Sequence, residues 1–151
     1  MVAPVRYLLD TNIVLLSTRA GNLVSAKIEQ QFVGQSLRPT ICEVSLGELW
    51  AFAQSASWGK ERRDLLSKII DRMVVLPISD ERIHRHWAEL YSYSKSQGLP
   101  IFNDHNDAWI AATAKIAGHM LLTTDKKGFA PLMGSTWVDV VVLDPHTGLP
   151  A

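Results

Sequence analysis

Apolar residues along the chain fall into two patterns, short unbroken runs and stripes at helical spacing, and the two take turns. Val5 to Leu9 is a run that stops at Asp10 and reads as a buried strand. Ile13 to Leu16 continues apolar and opens a helix, which Gly21-Asn22 breaks. Asn22 caps a second helix with the stripe Val24, Ile28 and Phe32, and Gly34 fits its exit. Ser36 to Pro39 reads as extended. Thr40-x-x-Glu43 has the form of a capping box and predicts a helix starting near Ile41. That helix carries Leu46, Leu49, Trp50 and Ala53 on one side and Val44, Ala51 and Phe52 on another, so it is expected to be largely buried, Trp50 included.

After a break at Ser57 to Gly59, Lys60 to Met73 places Leu65, Leu66, Ile69, Ile70 and Met73 on one side and basic residues on the rest. Met73 to Ile78 is a strand, with Pro77 marking an edge or exit. Ser79 or Asp80 caps a long helix with Ile83, Trp87, Leu90 and Tyr91 inward, closed by Gly98 and Pro100. Asn103 or Asp104 caps the next helix, Asp107 to about Ala117, whose small residues suit close packing on a sheet and which Gly118 ends. Met120 to Thr123 and Trp137 to Leu143 are strands, and residues 144–151 form a coil tail. This alternation predicts one α/β layered domain over residues 1–151 with a mostly parallel sheet.

Composition changes the picture little. Hydrophobic residues make up 47% of 151 positions, which excludes a disordered chain. Fifteen basic and fifteen acidic residues balance to zero net charge, which weakens any reading as a strongly basic nucleic-acid binder but allows a local patch. Lys60, Arg62, Arg63, Lys126 and Lys127 are the candidate phosphate contacts. The lone Cys42 forms no internal disulfide; it points to a reducing compartment and, on its flanks, to a structural position on a helix. No apolar run approaches the ~20 residues of a membrane span, and the N-terminus lacks a signal-peptide core, so a cytoplasmic location without membrane attachment is expected.

Four acids carry the chemistry. Asp10 and Asp125 each follow an apolar strand, where open parallel sheets place their ligands, although either position also suits a turn or capping acid. Glu48 lies in the apolar helix, where a lone carboxylate must be paired, protonated or bound to a cation. Asp107 shares a helix face with Ile110, Ala111 and Ala114, near the positive end of the helix dipole. Asp104 reads as the cap and His105 as surface. Four carboxylates with no accompanying Cys or His cluster fit Mg²⁺ or Mn²⁺. An ion so held keeps waters, one of which can attack a phosphate. A haloacid-dehalogenase-like phosphohydrolase with Asp10 as nucleophile is a weaker alternative, because its second Asp is replaced by Asn12. A module that binds RNA or protein without cutting is another.

Leu8-Leu9-Asp10-Thr11-Asn12, Ser45-Leu46-Gly47-Glu48-Leu49, Asn106-Asp107-Ala108-Trp109-Ile110-Ala111-Ala112-Thr113-Ala114 and Leu122-Thr123-Thr124-Asp125-Lys126-Lys127-Gly128-Phe129 follow one another along nearly the whole chain. In that order they resemble the PIN-domain nucleases, and within them the VapC-type toxins of toxin–antitoxin pairs. The resemblance implies a three-layer α/β/α sandwich and metal-dependent endoribonuclease activity leaving 5′-phosphate and 3′-hydroxyl ends, with housekeeping RNA processing as a variant of the same chemistry. It also implies a homodimer and a small antitoxin that blocks the site. Asp10, Glu48 and Asp107 would be the core acids and Asp125 the fourth. Asn12 and Thr123 would orient carboxylates or waters. The antitoxin would lie on residues 41–73, where Trp50, Phe52 and Trp58 offer apolar anchors.

Overall fold

The computed structural model describes residues 5–19, 23–33 and 38–151. The expected cap at Asn22, the helix exit at Gly34 and the start of the extended stretch at Ser36 lie outside these residues. Five short strands, β1 (Tyr7–Leu9), β2 (Thr40–Cys42), β3 (Val74–Leu76), β4 (Met120–Thr123) and β5 (Val140–Val142), form one sheet in the order β3-β2-β1-β4-β5. Every neighbouring pair is parallel. The helices are α1 (Thr11–Ser17), α2 (Leu23–Ile28), α3 (Glu43–Ser55), α4 (Lys60–Asp71), α5 (Glu81–Gln97), α6 (His105–Ala117) and α7 (Lys126–Phe129).

The strand pleat divides the core in two. Leu8, Cys42, Leu121 and Val142 point to one face, where they pack with Leu90 of α5, Ile110, Ala111 and Ala114 of α6, and Phe129 of α7. Leu9, Ile41, Leu122 and Leu143 point to the other, against Ile13 and Val14 of α1, Ile28 of α2, Leu49 of α3 and Leu66 of α4. Strands apolar on both faces belong in a covered parallel sheet, and the result is the three-layer sandwich. The small residues of α6 let it lie close: Ala108, Ala111, Ala112 and Ala114 are all buried.

Helix stops are local chemistry. Gly98 and Gly118 end α5 and α6 in the left-handed conformation, at φ 64° and 71°, which a glycine adopts without steric cost. Asp80 caps α5 through the Arg82 amide, and Asp104 caps α6 through the Asp107 amide.

Two expectations need correction. The capping-box reading of Thr40 to Glu43 fails: Thr40, Ile41 and Cys42 form β2, a fully buried central strand, and α3 begins only at Glu43. Glu43 Oε1 accepts from the Ile78 amide, 2.7 Å away, not from the Thr40 backbone. The Thr40 hydroxyl donates to the Tyr7 carbonyl (2.9 Å) and lies 2.9 Å from His119 Nδ1, which therefore carries the proton and donates to it. Cys42 accordingly ends a strand, 3.5 Å from the Thr113 hydroxyl, and burial pushes its thiol up from the ordinary value.

Second, α3 is not largely buried. Leu49 and Ala53 face the core, but Trp50 and Phe52 are 38% and 47% exposed. Periodicity shows that a helix has two apolar faces; it does not show that both are covered. The C-terminal coil folds back onto the sheet. Leu143 bridges Pro150 in antiparallel fashion and the Ala151 amide donates to the Val142 carbonyl. No helix among the described residues is long and apolar enough to cross a membrane.

Candidate active site

A parallel sheet delivers every strand end to one edge, and four elements bring an acid there. Asp10 leaves β1 and caps α1, with Oδ1 accepting from the Thr11 amide at 2.8 Å. Asp125 leaves β4, the neighbouring strand, and caps α7. Glu48 comes from the second turn of α3 and Asp107 from the first turn of α6.

Three of the carboxylates, Asp10, Glu48 and Asp125, are held by hydroxyls and amides. Thr123, fully buried at the end of β4, donates to Asp10 Oδ2 at 2.6 Å and accepts from the Asp125 amide at 3.0 Å. Asn12 Nδ2 lies 3.3 Å from the Thr123 hydroxyl and 3.4 Å from Asp10 Oδ2, while its Oδ1 accepts from the Thr124 amide at 3.1 Å. The Thr11 hydroxyl donates to Glu48 Oε1 at 2.7 Å and lies 2.9 Å from the buried Ser45 hydroxyl. Asp125 Oδ1 accepts from the Gly128 amide at 3.0 Å.

Thr11 and Ser45 were not singled out from the sequence. The signals were present: Thr11 lies inside the Asp10-Thr11-Asn12 run, and Ser45 precedes Glu48 by one helical turn.

The acids feel one another. Burial first, and then the charges of Glu48 and Asp125, push the Asp10 carboxyl up to about 6, against the lowering effect of its Thr123 and Thr11 hydrogen bonds. Asp107 is raised as well, by burial and then by the charges of Asp10, Asp104, Asp125 and Glu48. Buried like charges that face one another favour the protonated form, and a cation among them would reverse that preference. Among the described residues, no group of three or more His, Cys, Asp or Glu side chains stands in positions that already close around an ion. All-oxygen donors suit a hard divalent cation in chemistry, but Asp10, Glu48 and Asp125 are turned onto their own hydroxyl or amide donors.

A cavity of about 380 Å³ opens beside the acids, lined by Asp104, Asp107, Asp125 and Lys127 among others. Lys127 is thus the candidate cation that reaches the site. Lys60 pairs with Asp64 at 2.7 Å. Arg62 sits 3.7 Å over the Trp58 ring and donates to the Thr18 hydroxyl, and Arg63 is tied to the Trp58 and Ala53 carbonyls.

This arrangement has relatives. The family model described as PIN domain matches residues 7–131, four-fifths of the chain and all four acids. The chain belongs to the PIN-domain family. Ribonuclease VapC1 of Haemophilus influenzae strain R2866 is 27% identical to this PIN domain over 134 residues, covering 88% of the chain and 96% of the relative. Among solved structures, VapBC-1 from nontypeable H. influenzae matches with a TM-score of 0.72 at 25% identity, over 90% of this chain and 96% of that one. VapBC2 from Rickettsia felis, solved bound to a DNA fragment from its promoter, has the same fold, with a TM-score of 0.75 at 19% identity over 89% and 96% of the two chains.

Proposed function

We propose that this PIN domain is a Mg²⁺- or Mn²⁺-dependent endoribonuclease and the toxin of a toxin–antitoxin pair. The observation that carries the reading is the convergence of four acids from four elements at the carboxyl edge of the sheet, where burial first and then one another's charge raise the pKa of Asp10 and Asp107. The VapC1 ribonuclease relative supports RNA as substrate. Oxygens of Asp10, Glu48, Asp107 and Asp125 would hold the ion. When bound, it supplies positive charge opposite the scissile phosphate and a water of lowered pKa.

The chain's own residues do the rest. Thr123 and the Thr11 amide fix both oxygens of Asp10, so its free lone pairs keep one direction. The Thr11 hydroxyl fixes one oxygen of Glu48 and leaves the other free. Asn12 ties the start of α1 to the turn after β4, holding Asp10 and Asp125 in one frame. Lys127 can pair with a phosphate oxygen entering through the cavity.

The partner reading rests on exposed apolar surface. Trp50 and Phe52 of α3 and Leu65 of α4 are all more than one-third exposed. A cleft of about 320 Å³ runs between α1, α2 and α4, lined by Leu9, Ile13, Ile28, Ile69 and Met73. A small antitoxin fits this surface, in keeping with the VapBC neighbours. The homodimer belongs to the same proposal.

RNA cleavage with and without a chelator, for wild type and Asp10→Asn, tests the mechanism. Cleavage by wild type alone, abolished by chelator, is expected; equal cleavage by both proteins rejects it. Calorimetry that finds no binding of millimolar Mg²⁺ or Mn²⁺ would favour a non-cleaving module. Co-purification with the product of a neighbouring small reading frame separates a toxin from a housekeeping nuclease.

A further inference from the structure

We propose that Gly128 is a positioning residue for Asp125, and that its missing side chain is what lets this carboxylate face the other acids. The inference rests on the four-acid reading above.

Gly98, Gly118, Gly134 and Gly148 have positive φ, so each has a backbone reason to be glycine. Gly128 does not; its backbone is one that any L residue adopts, within α7. Helices favour alanine over glycine, so a glycine here needs another cause. Gly47 and Gly59 have open space where a Cβ would go. A Cβ on Gly128 would instead overlap Asp125 Oδ2, with Asp125 Cγ at 3.2 Å and Oδ1 at 3.5 Å.

The backbone has little room to retreat. Gly128 is itself buried, Phe129 is fully buried in the core beneath, and the Phe129 amide donates to the Asp125 carbonyl at 3.2 Å. The carboxylate is the part that can move. Swinging it away breaks its bond to the Gly128 amide and removes the negative charge that Asp10 and Asp107 both feel from it. Asp125 is anchored at its other end, where its amide donates to the same Thr123 hydroxyl that holds Asp10. Gly128 thus completes a clamp: Thr123 sets the backbone of Asp125, and the bare α-carbon of Gly128 leaves space for its side chain.

The test is a double-mutant cycle read by Mn²⁺ calorimetry and by thermal unfolding of the metal-free protein. Gly128→Ala should weaken Mn²⁺ binding about tenfold, within the range typical for residues that orient metal ligands. In an Asp125→Ala background the same substitution should leave Mn²⁺ binding unchanged and leave Tm equal or higher, because alanine then has space and suits the helix. Unchanged Mn²⁺ affinity for Gly128→Ala alone would overturn the proposal, as would an equal loss in both backgrounds. Should Gly128→Ala not fold, a folded Asp125→Ala, Gly128→Ala protein supports the steric coupling and an unfolded one overturns it. Failure of wild type itself to bind Mn²⁺ rejects the metal site and the role of Gly128 in it; the thermal cycle then reads only the steric coupling of Gly128 to Asp125.

Discussion

The two edges of the sheet handle buried polar groups in opposite ways. At the amino edge, His119 precedes β4 and is buried; its Nδ1 proton goes to the Thr40 hydroxyl, which in turn donates to the Tyr7 carbonyl. Three adjacent strands are tied by one short chain of neutral hydrogen bonds. Burial, and then the charge of Arg6, lower the His119 pKa, so the imidazole stays neutral. At the carboxyl edge, Asp10 is as deeply buried but faces other carboxylates, and its pKa is raised. One edge is closed and serves the fold. The other keeps uncompensated charge, as sites that bind cations do.

The largest expected effect breaks the carboxyl edge. Asp10→Asn should lower RNA cleavage by at least about 100-fold, the upper end of the loss typical even for residues that only orient ligands. Its Tm without metal should hold or rise, because a buried charge is removed. A large fall in Tm would instead make Asp10 structural.

Thr123→Val keeps the shape but removes the donor to Asp10 and the acceptor for the Asp125 amide. A loss of about tenfold in Mn²⁺ affinity is expected by calorimetry. His119→Ala gives the converse at the other edge. It should cost about 2 kcal/mol in urea unfolding, from lost packing and the lost hydrogen bond to the Thr40 hydroxyl, with Mn²⁺ affinity unchanged.

Protons sharpen the contrast. Asp10 has a folded pKa above its unfolded value of about 3.9, so its contribution to stability is full at low pH and is lost as pH rises through about 6. His119 has a folded pKa below its unfolded value of about 6.5, so its contribution is present above that and is lost as pH falls through the folded pKa. In metal-free thermal unfolding, Asp10→Asn should therefore weaken the alkaline-side loss, part of which the buried Asp107 keeps, and His119→Gln should weaken the acid-side loss. The same slope in both variants would refute the assignment. The smallest effect is at the rim: Lys127→Ala should weaken RNA binding in dilute salt and reduce the slope of log affinity against log salt by roughly one contact.

Much of the fold was legible because its signals are local. An apolar run that ends in an acid, a glycine at a helix stop and a stripe at helical spacing need no distant partner, and β1, α5, α6 and β4 follow from them. β2 was not legible: three residues are too few to show a period, and Thr40-x-x-Glu43 carries a competing helix signal. The exposure of Trp50 and Phe52 was hidden for a related reason, since pattern alone does not tell a covered face from an open one. The same weakness touched Glu48. Its place on a helix expected to be buried first marked it out, yet it stands half-buried at the rim, held by Thr11.

By itself the sequence determined most of the elements and their order, β2 excepted, the parallel sheet that follows from their alternation, and the acids placed where such a sheet opens. Those depend on backbone preference and burial within a dozen residues. The tertiary structure alone decided which groups meet across the chain: Thr123 with Asp10, Thr11 with Glu48, and His119 with Thr40. Hydrogen bonds and charge repulsion act over a few ångströms of space, whatever the separation along the chain. The sheet's register is therefore what converts acids spread from residue 10 to residue 125 into one charged edge.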